Sequence, residues 1–223
     1  MRLLLTLGLF VTSPLLAQGG MAGMQHDDAD KAVEGGGKLP AGWSARTDRD
    51  APVTNVKFAK MGEGWHVTLG PAVVLYRETD KASGDYQASA TFNQSKYQYP
   101  EGYGLIIGGS NLAEASQRYT YFLVRSDGKF IIKRRNGPDQ RGENPSNVTE
   151  GWVDNAAIIK EGPDGKNTNA LAINVSGGKV SFLANGKELY STDASKVDTD
   201  GVVGIRVNHN LDVHVAGFAV KKQ

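Results

Sequence analysis

One stretch, Glu101 to Arg135, constrains the fold more than any other. It holds three apolar runs: Tyr103 to Ile107, stopped by Gly108-Gly109, then Tyr119 to Arg125, then Phe130 to Arg134. Ser126-Asp127-Gly128-Lys129 joins the second run to the third. Asp-Gly between two β-rich runs signals a tight hairpin, because a type I′ turn needs positive φ and glycine supplies it without steric conflict. The pattern recurs along the chain. Val56 to Phe58, Trp65 to Leu69, Pro71 to Tyr76, Thr168 to Val175, Lys179 to Ala184, Gly201 to Val207 and Leu211 to Val220 are short apolar or alternating runs, with Gly177-Gly178 and Asn185-Gly186 as further hairpin turns. In Asp85 to Phe92, Tyr86, Ala88, Ala90 and Phe92 share one face, as in a half-buried strand. No amphipathic helix of three turns interrupts the series. A dozen or so short strands with glycine-rich turns predict an all-β, two-sheet antiparallel sandwich of the jelly-roll kind.

The ends and the composition set the organisation. MRLLLTLGLFVTSPLLA carries Arg2, an apolar run and Ala17, the pattern of a signal peptide (1–17) cleaved after Ala17. Gly8 and Pro14 leave the run too broken for a membrane span. Residues 18–38 have no apolar periodicity and read as a flexible segment. Its Met21, Met24 and His26 are soft-metal ligand types that suit copper, against the plainer reading of a solvated tail. Residues 39–223 form one domain. The chain has no cysteine, so no disulfide supports it, which fits a large core in a periplasmic or extracellular protein. Removing Arg2 with the leader leaves basic and acidic residues equal at 24 each, which predicts neither nucleic-acid binding nor electrostatic membrane attachment.

Several of these pieces together resemble the concanavalin A-like lectin/glucanase superfamily, in its laminin-G-like and 3-keto-disaccharide-hydrolase-type branches. The matching residues are Tyr103-Gly104-Leu105, Asp127-Gly128, Trp152, Asn169-Ala170-Leu171, Val180-Ser181-Phe182, Asn185-Gly186 and Gly201 to Ile205. The resemblance implies two facing sheets, one of them concave and able to hold a glycan. It also implies a test for catalysis. Laminarinase-type members carry Glu-x-Asp-x-x-Glu on one strand, and retaining glycosidases need two carboxyl groups about 5–5.5 Å apart. This chain lacks that motif. Calcium is common in the superfamily, and Asp154-Asn155 and Asp198-Thr199-Asp200 are its oxygen-rich turns here; no cofactor is assigned.

Three candidate groups follow from the residues. With Asp127-Gly128 as a two-residue turn, Tyr119, Tyr121, Leu123, Ile132 and Arg134 fall on one face, and Phe122, Val124, Ile131 and Lys133 on the other. Tyrosine rings beside a guanidinium suit a sugar, whose C–H face stacks while its hydroxyls take hydrogen bonds. Trp152 follows a long polar loop, NGPDQRGENPSN, and is the tryptophan best placed to join them. In RVNHNLDVHV, Arg206 and Asn208 share a face, as do Asp212 and His214, around a hairpin at 208–210. Asp212 and His214 are the acid/base or metal-ligand candidates, against a plain Asp–His hydrogen bond on a wet face. The expectation is a carbohydrate-binding sandwich using Tyr119, Tyr121, Arg134, Trp152, Arg206 and His214, with no catalysis. The alternatives are a glycoside hydrolase-like enzyme or lyase acting on a sugar derivative through Asp212 and His214, and an envelope domain that binds protein.

Overall fold

A computed structural model describes residues 29–48, 51–95, 99–137 and 146–223. The expected leader and the Met21, Met24 and His26 group lie outside them. Among the described residues fifteen strands are formed: β1 (Ser44–Thr47), β2 (Val56–Met61), β3 (Gly64–Leu69), β4 (Val73–Ala82), β5 (Tyr86–Gln94), β6 (Tyr103–Ser110), β7 (Arg118–Val124), β8 (Lys129–Asn136), β9 (Ser146–Asn147), β10 (Val153–Asp154), β11 (Asn167–Ser176), β12 (Lys179–Ala184), β13 (Lys187–Asp193), β14 (Gly201–Val207) and β15 (Asp212–Lys222). They make two antiparallel sheets. One runs β1-β4-β14-β6-β7-β8-β10, with β9 also on β8; the other runs β13-β12-β11-β5-β15-β3-β2. Single 3-10 turns occur at Val53–Asn55 and Ala194–Lys196. The expected all-β sandwich is the observed fold.

Alternation builds the core. Tyr86, Ala88, Ala90 and Phe92 of β5 face inward, meeting Tyr103, Leu105 and Ile107 of β6, Phe122 of β7 and Ile205 of β14. Side chains of opposite parity on the eight-stranded sheet form a second buried cluster on its outer side, with Val74, Tyr76, Ile106, Tyr119, Tyr121, Leu123 and Ile131. The strands of that sheet are therefore apolar on both faces, and the chain must cover the outer one.

The turns decide the register. Asn185 and Gly186 both have positive φ, at 53° and 78°, and Ala184 pairs with Lys187 across them, so this hairpin has the expected two-residue turn. Gly177 and Gly178 do the same between Ser176 and Lys179. Asp127-Gly128 does not. Gly128 alone is left-handed, with φ 89°, and its N–H donates to the Arg125 carbonyl at 3.1 Å, while the Arg125 N–H donates to the Lys129 carbonyl at 2.8 Å. The loop is thus a three-residue turn over 126–128, and Tyr121 pairs with Lys133, not Arg134. A shift of one residue exchanges the faces of a whole strand. Tyr119, Tyr121 and Leu123 consequently share their face with Ile131, Lys133 and Arg135, and Arg134 lies on the other side, opposite Thr120.

A polar network is embedded beside the core. Asn169, fully buried, donates to the Tyr103 hydroxyl (3.0 Å) and the Ile159 carbonyl (3.1 Å), and accepts from the Ile159 N–H (2.8 Å) and Asn185 (2.8 Å). Tyr103 in turn donates to Asn167 at 2.7 Å. The network ties the 155–160 loop to β6, β11 and the β12–β13 turn. Replacing Asn169 with Leu leaves the Ile159 N–H and C=O without partners. We expect the variant to lose about 2–4 kcal/mol of stability in urea unfolding. A change within about 0.5 kcal/mol, the usual range of a surface substitution, would contradict this account.

Candidate functional site

The outer side of the eight-stranded sheet is organised by Arg206. Alternation along β14 sends Val203, Ile205 and Val207 into the core and Arg206 outward. Its cross-strand neighbours are Val74 on β4 and Gly104 on β6. Gly104 has no side chain, and a Cβ there would lie 2.0 Å from the Phe122 carbonyl oxygen. The guanidinium therefore reaches over β6 to β7. There it donates to the Tyr119 hydroxyl at 3.0 Å, and its Cζ lies 5.5 Å from the Tyr121 ring centre. Its charge is balanced by Asp48, just past β1, through bonds of 3.1 and 2.5 Å. Arg206 is 7% exposed. Burial alone would lower its pKa, but Asp48 outweighs that and holds the guanidinium firmly charged. Burial raises the pKa of both tyrosines, so each remains a neutral phenol.

Beside Arg206 a recess of about 170 Å³ opens, lined by Asp30, Asp48, Pro71, Ala72, Glu101, Arg206, Asn208 and His209. Residues 208–211 carry the chain from β14 in one sheet to β15 in the other, so they form a corner between layers instead of the expected hairpin. His209 sits on that corner between two carboxylates, with Nδ1 3.1 Å from Asp30 and Nε2 3.1 Å from Glu101. Asn208 donates to the other Glu101 oxygen at 3.0 Å. The Asn208 side-chain oxygen Oδ1 and Arg206 Nε are buried with no partner among the described residues. Asp30 arrives on a segment expected to be flexible. From residue 29 onward it is held, by Lys31 N–H to Asn210 Oδ1 (2.7 Å), Asn210 Nδ2 to the Ala29 carbonyl (3.1 Å) and Phe58 N–H to the Gly36 carbonyl (2.8 Å).

The structure gathers some of the expected site residues and separates others. Tyr119, Tyr121 and Arg206 are in contact, but Tyr119 is fully buried and Tyr121 is 9% exposed, so their rings support the arginine and present no open stacking face. Trp152 packs on the same cluster under the Arg125 guanidinium, whose Cζ is 4.4 Å from the ring centre. Arg134 faces away and is bound bidentately by Asp198, at 3.0 and 3.1 Å, so that aspartate is engaged in an ion pair. Asp212 and His214 lie on the outer face of the other sheet. Asp212 bonds to His66 and to Thr68 (2.9 Å), and the His66 bond holds its carboxyl below the usual range. His214 sits opposite His66, ring centres 6.0 Å apart, and burial lowers its pKa. No group of three or more His, Asp or Glu among the described residues is arranged to hold a metal.

Asp30, Asp48, Glu101 and His209 were not singled out from sequence. His209 stands within the polar RVNHN run, but its carboxylate partners are distant in the chain and belong to no local pattern.

No protein-family profile and no curated protein sequence matches the chain. Solved structures do share the fold. A carbohydrate-binding module, CBM66 from Bacillus subtilis, aligns with TM-score 0.55 and 11% identity over 81% of this chain and 96% of its own. A galectin-like protein of unknown function from Bacillus subtilis gives 0.54 and 12%, covering 81% and 89%. A laminarinase from Flavobacterium sp. UMI-01 gives 0.54 and 10%, covering 84% and 96%. At these identities the likeness establishes the β-sandwich architecture, of the kind the sequence resemblance implied.

The His209 contacts make a pH prediction. Its bond to Glu101, with that carboxylate's charge and Asp30, raises the His209 pKa above the ordinary 6.5. Burial would push Glu101 up, but bonds from His209 and Asn208 outweigh it and hold the carboxyl below 4.5. Stabilisation from His209 is complete below pH 6.5 and fades as pH rises through its elevated folded-state value. Stabilisation from Glu101 is present above pH 4.5 and fades as pH falls through its depressed value. The melting-temperature advantage of wild type over His209→Gln should therefore be largest between those limits and shrink on the alkaline side. An advantage that does not vary with pH would show that His209 acts by packing alone.

Proposed function

We propose that this protein is an exported carbohydrate-binding β-sandwich whose ligand contacts the recess beside Arg206, and that it binds without catalysis. The observation that carries the reading is the recess itself. A fixed guanidinium, charge-balanced by Asp48, stands next to Asn208, whose buried side-chain amide oxygen lacks a partner among the described residues, and next to the Glu101–His209 pair. Donors and acceptors set side by side at a small opening suit the hydroxyls of one sugar unit. The volume is below the roughly 300 Å³ at which drug-sized sites begin. Three carboxylates, Asp30, Asp48 and Glu101, face Arg206 and His209 there, so the lining disfavours an anion, and its hydrogen-bonding groups suit a neutral polyol. The shared architecture with a carbohydrate-binding module is in keeping with this.

The test is a glycan array with the purified protein, followed by titration of any hit against Asn208→Ala and Glu101→Gln. Loss of one hydrogen-bonding group should weaken binding about tenfold in each variant. Silence across the array, or a hit indifferent to both substitutions, would overturn the proposal. The Glu101–His209 pair also favours a second reading, a hydrolase acting on a sugar derivative, because a carboxyl hydrogen-bonded to an imidazole can exchange protons. Turnover of disaccharides that Glu101→Gln abolishes would establish it in place of the first.

Export rests on the pattern of residues 1–17. Mass spectrometry of the protein recovered from its native host should find an N-terminus at Gln18; an intact Met1 in the recovered protein would refute export by this route.

A further inference from the structure

A second recess, of about 260 Å³, lies where the β1–β4 edge of one sheet meets β3 and β15 of the other, and it shares no residue with the first. Its walls include Trp43, Glu63, Trp65, Arg77 and Phe218. Trp43 is held edge-on by two rings, Trp65 at 5.3 Å and Phe218 at 5.1 Å between centres. The Arg77 guanidinium carbon lies over the Trp43 ring at 5.2 Å and is anchored by Asp80 through bonds of 2.6 and 3.0 Å. Phe218 reaches this position because β15 is interrupted. Its register on β5 skips between Ala216 and Ala219, and Gly217 is left-handed at φ 62°. The bulge thus aims an aromatic ring into the recess, a common use of such irregularities. Glu63, on the β2–β3 turn, is exposed and has no hydrogen bond or ion pair among the described residues.

We propose that this recess is a second carbohydrate site, taking one neutral sugar ring; the inference rests on the carbohydrate-binding reading above. Charge selects the ligand class. A cation entering beside Trp43 meets Arg77, and an anion meets the unpaired Glu63 carboxylate. A neutral molecule with an apolar face and hydroxyls at its rim satisfies both: its C–H face lies on the partly exposed Trp43 and Phe218 rings, one hydroxyl donates to Glu63, and another accepts from Arg77. The three rings of the wall already pack on one another without ligand, so little ordering accompanies binding.

The chain has three tryptophans, and only Trp43 and Trp65 belong to this recess. Full-length protein labelled with 5-fluorotryptophan gives one fluorine resonance for each, assigned by single Trp→Phe variants. Methyl glycosides of common hexoses are the probes. We expect a saturable shift of the Trp43 or Trp65 resonance with at least one glycoside, weakened about tenfold by Glu63→Ala and unchanged by Asn208→Ala. Glu63 is exposed on a turn, so its replacement leaves the fold intact. Unmoved Trp43 and Trp65 resonances across the panel, or a shift indifferent to Glu63→Ala, would overturn the second site. If glycan binding that depends on Asn208 persists in that case, the first site stands alone; if it is absent as well, both readings fall together.

Discussion

The outer half of the molecule depends on a charge taken out of water. A buried guanidinium without a counter-ion is unfavourable by several kcal/mol, so Arg206 can occupy its position only if Asp48 is delivered to it. Three local features meet that condition. Strand β1 ends at the point from which Asp48 reaches across, and the Asp48 N–H is fixed on the Ala72 carbonyl at 2.9 Å. Gly104 leaves the path over β6 clear. The β7 tyrosines then close over the guanidinium with a hydroxyl and a ring face. Each feature comes from a different part of the chain, so the pair fastens β1, β14 and β7 to one another through side chains as well as through the sheet.

The same arrangement explains why tyrosines that look like sugar platforms in the sequence have another role. An aromatic ring on the outer face of a sheet serves a ligand only if the chain leaves it open. Here Tyr119 and Tyr121 are consumed in packing around Arg206, and the polar atoms left at the rim, from Asn208, Glu101 and His209, form the recess. Loop residues at a corner between sheets therefore carry the candidate chemistry, while the strands hold them in place.

Strand identity and fold class were legible because alternation is a local property. Tyr86 to Phe92 announces its buried face without help from any other part of the chain, and Asn185-Gly186 and Gly177-Gly178 define their own turns. Asp127-Gly128 was misleading for a physical reason. Aspartate accepts the ordinary negative φ that a three-residue loop requires, whereas a type I′ turn needs positive φ at both positions. That one-residue difference moved Arg134 to the other side of the sheet and brought Arg135 to the side of Tyr119. The recess was less legible still. His209 meets Glu101 and Asp30 only because a corner between sheets, the start of β6 and an N-terminal strap converge, and no periodicity encodes that meeting. Likewise the Asp–His contact expected within one strand formed between strands, from Asp212 to His66.

Strand β8 is the last long strand of the larger sheet, yet its far side does not display a continuous row of unused backbone groups. Ser146 and Asn147 pair with Arg134 and Lys133, and Val153 and Asp154 pair with Phe130 and Lys129. Between these, the N–H groups of Val148 and Thr149 both donate to the Ile132 carbonyl, and the Thr149 hydroxyl accepts from the Ile132 N–H at 3.1 Å. An irregular stretch of the same chain thus occupies the rim piece by piece. Bare sheet rims are the usual starting point for cross-molecule strand addition and fibril growth. On this side the protein has closed that route, so a partner that adds a strand here would first have to peel the 146–154 segment away.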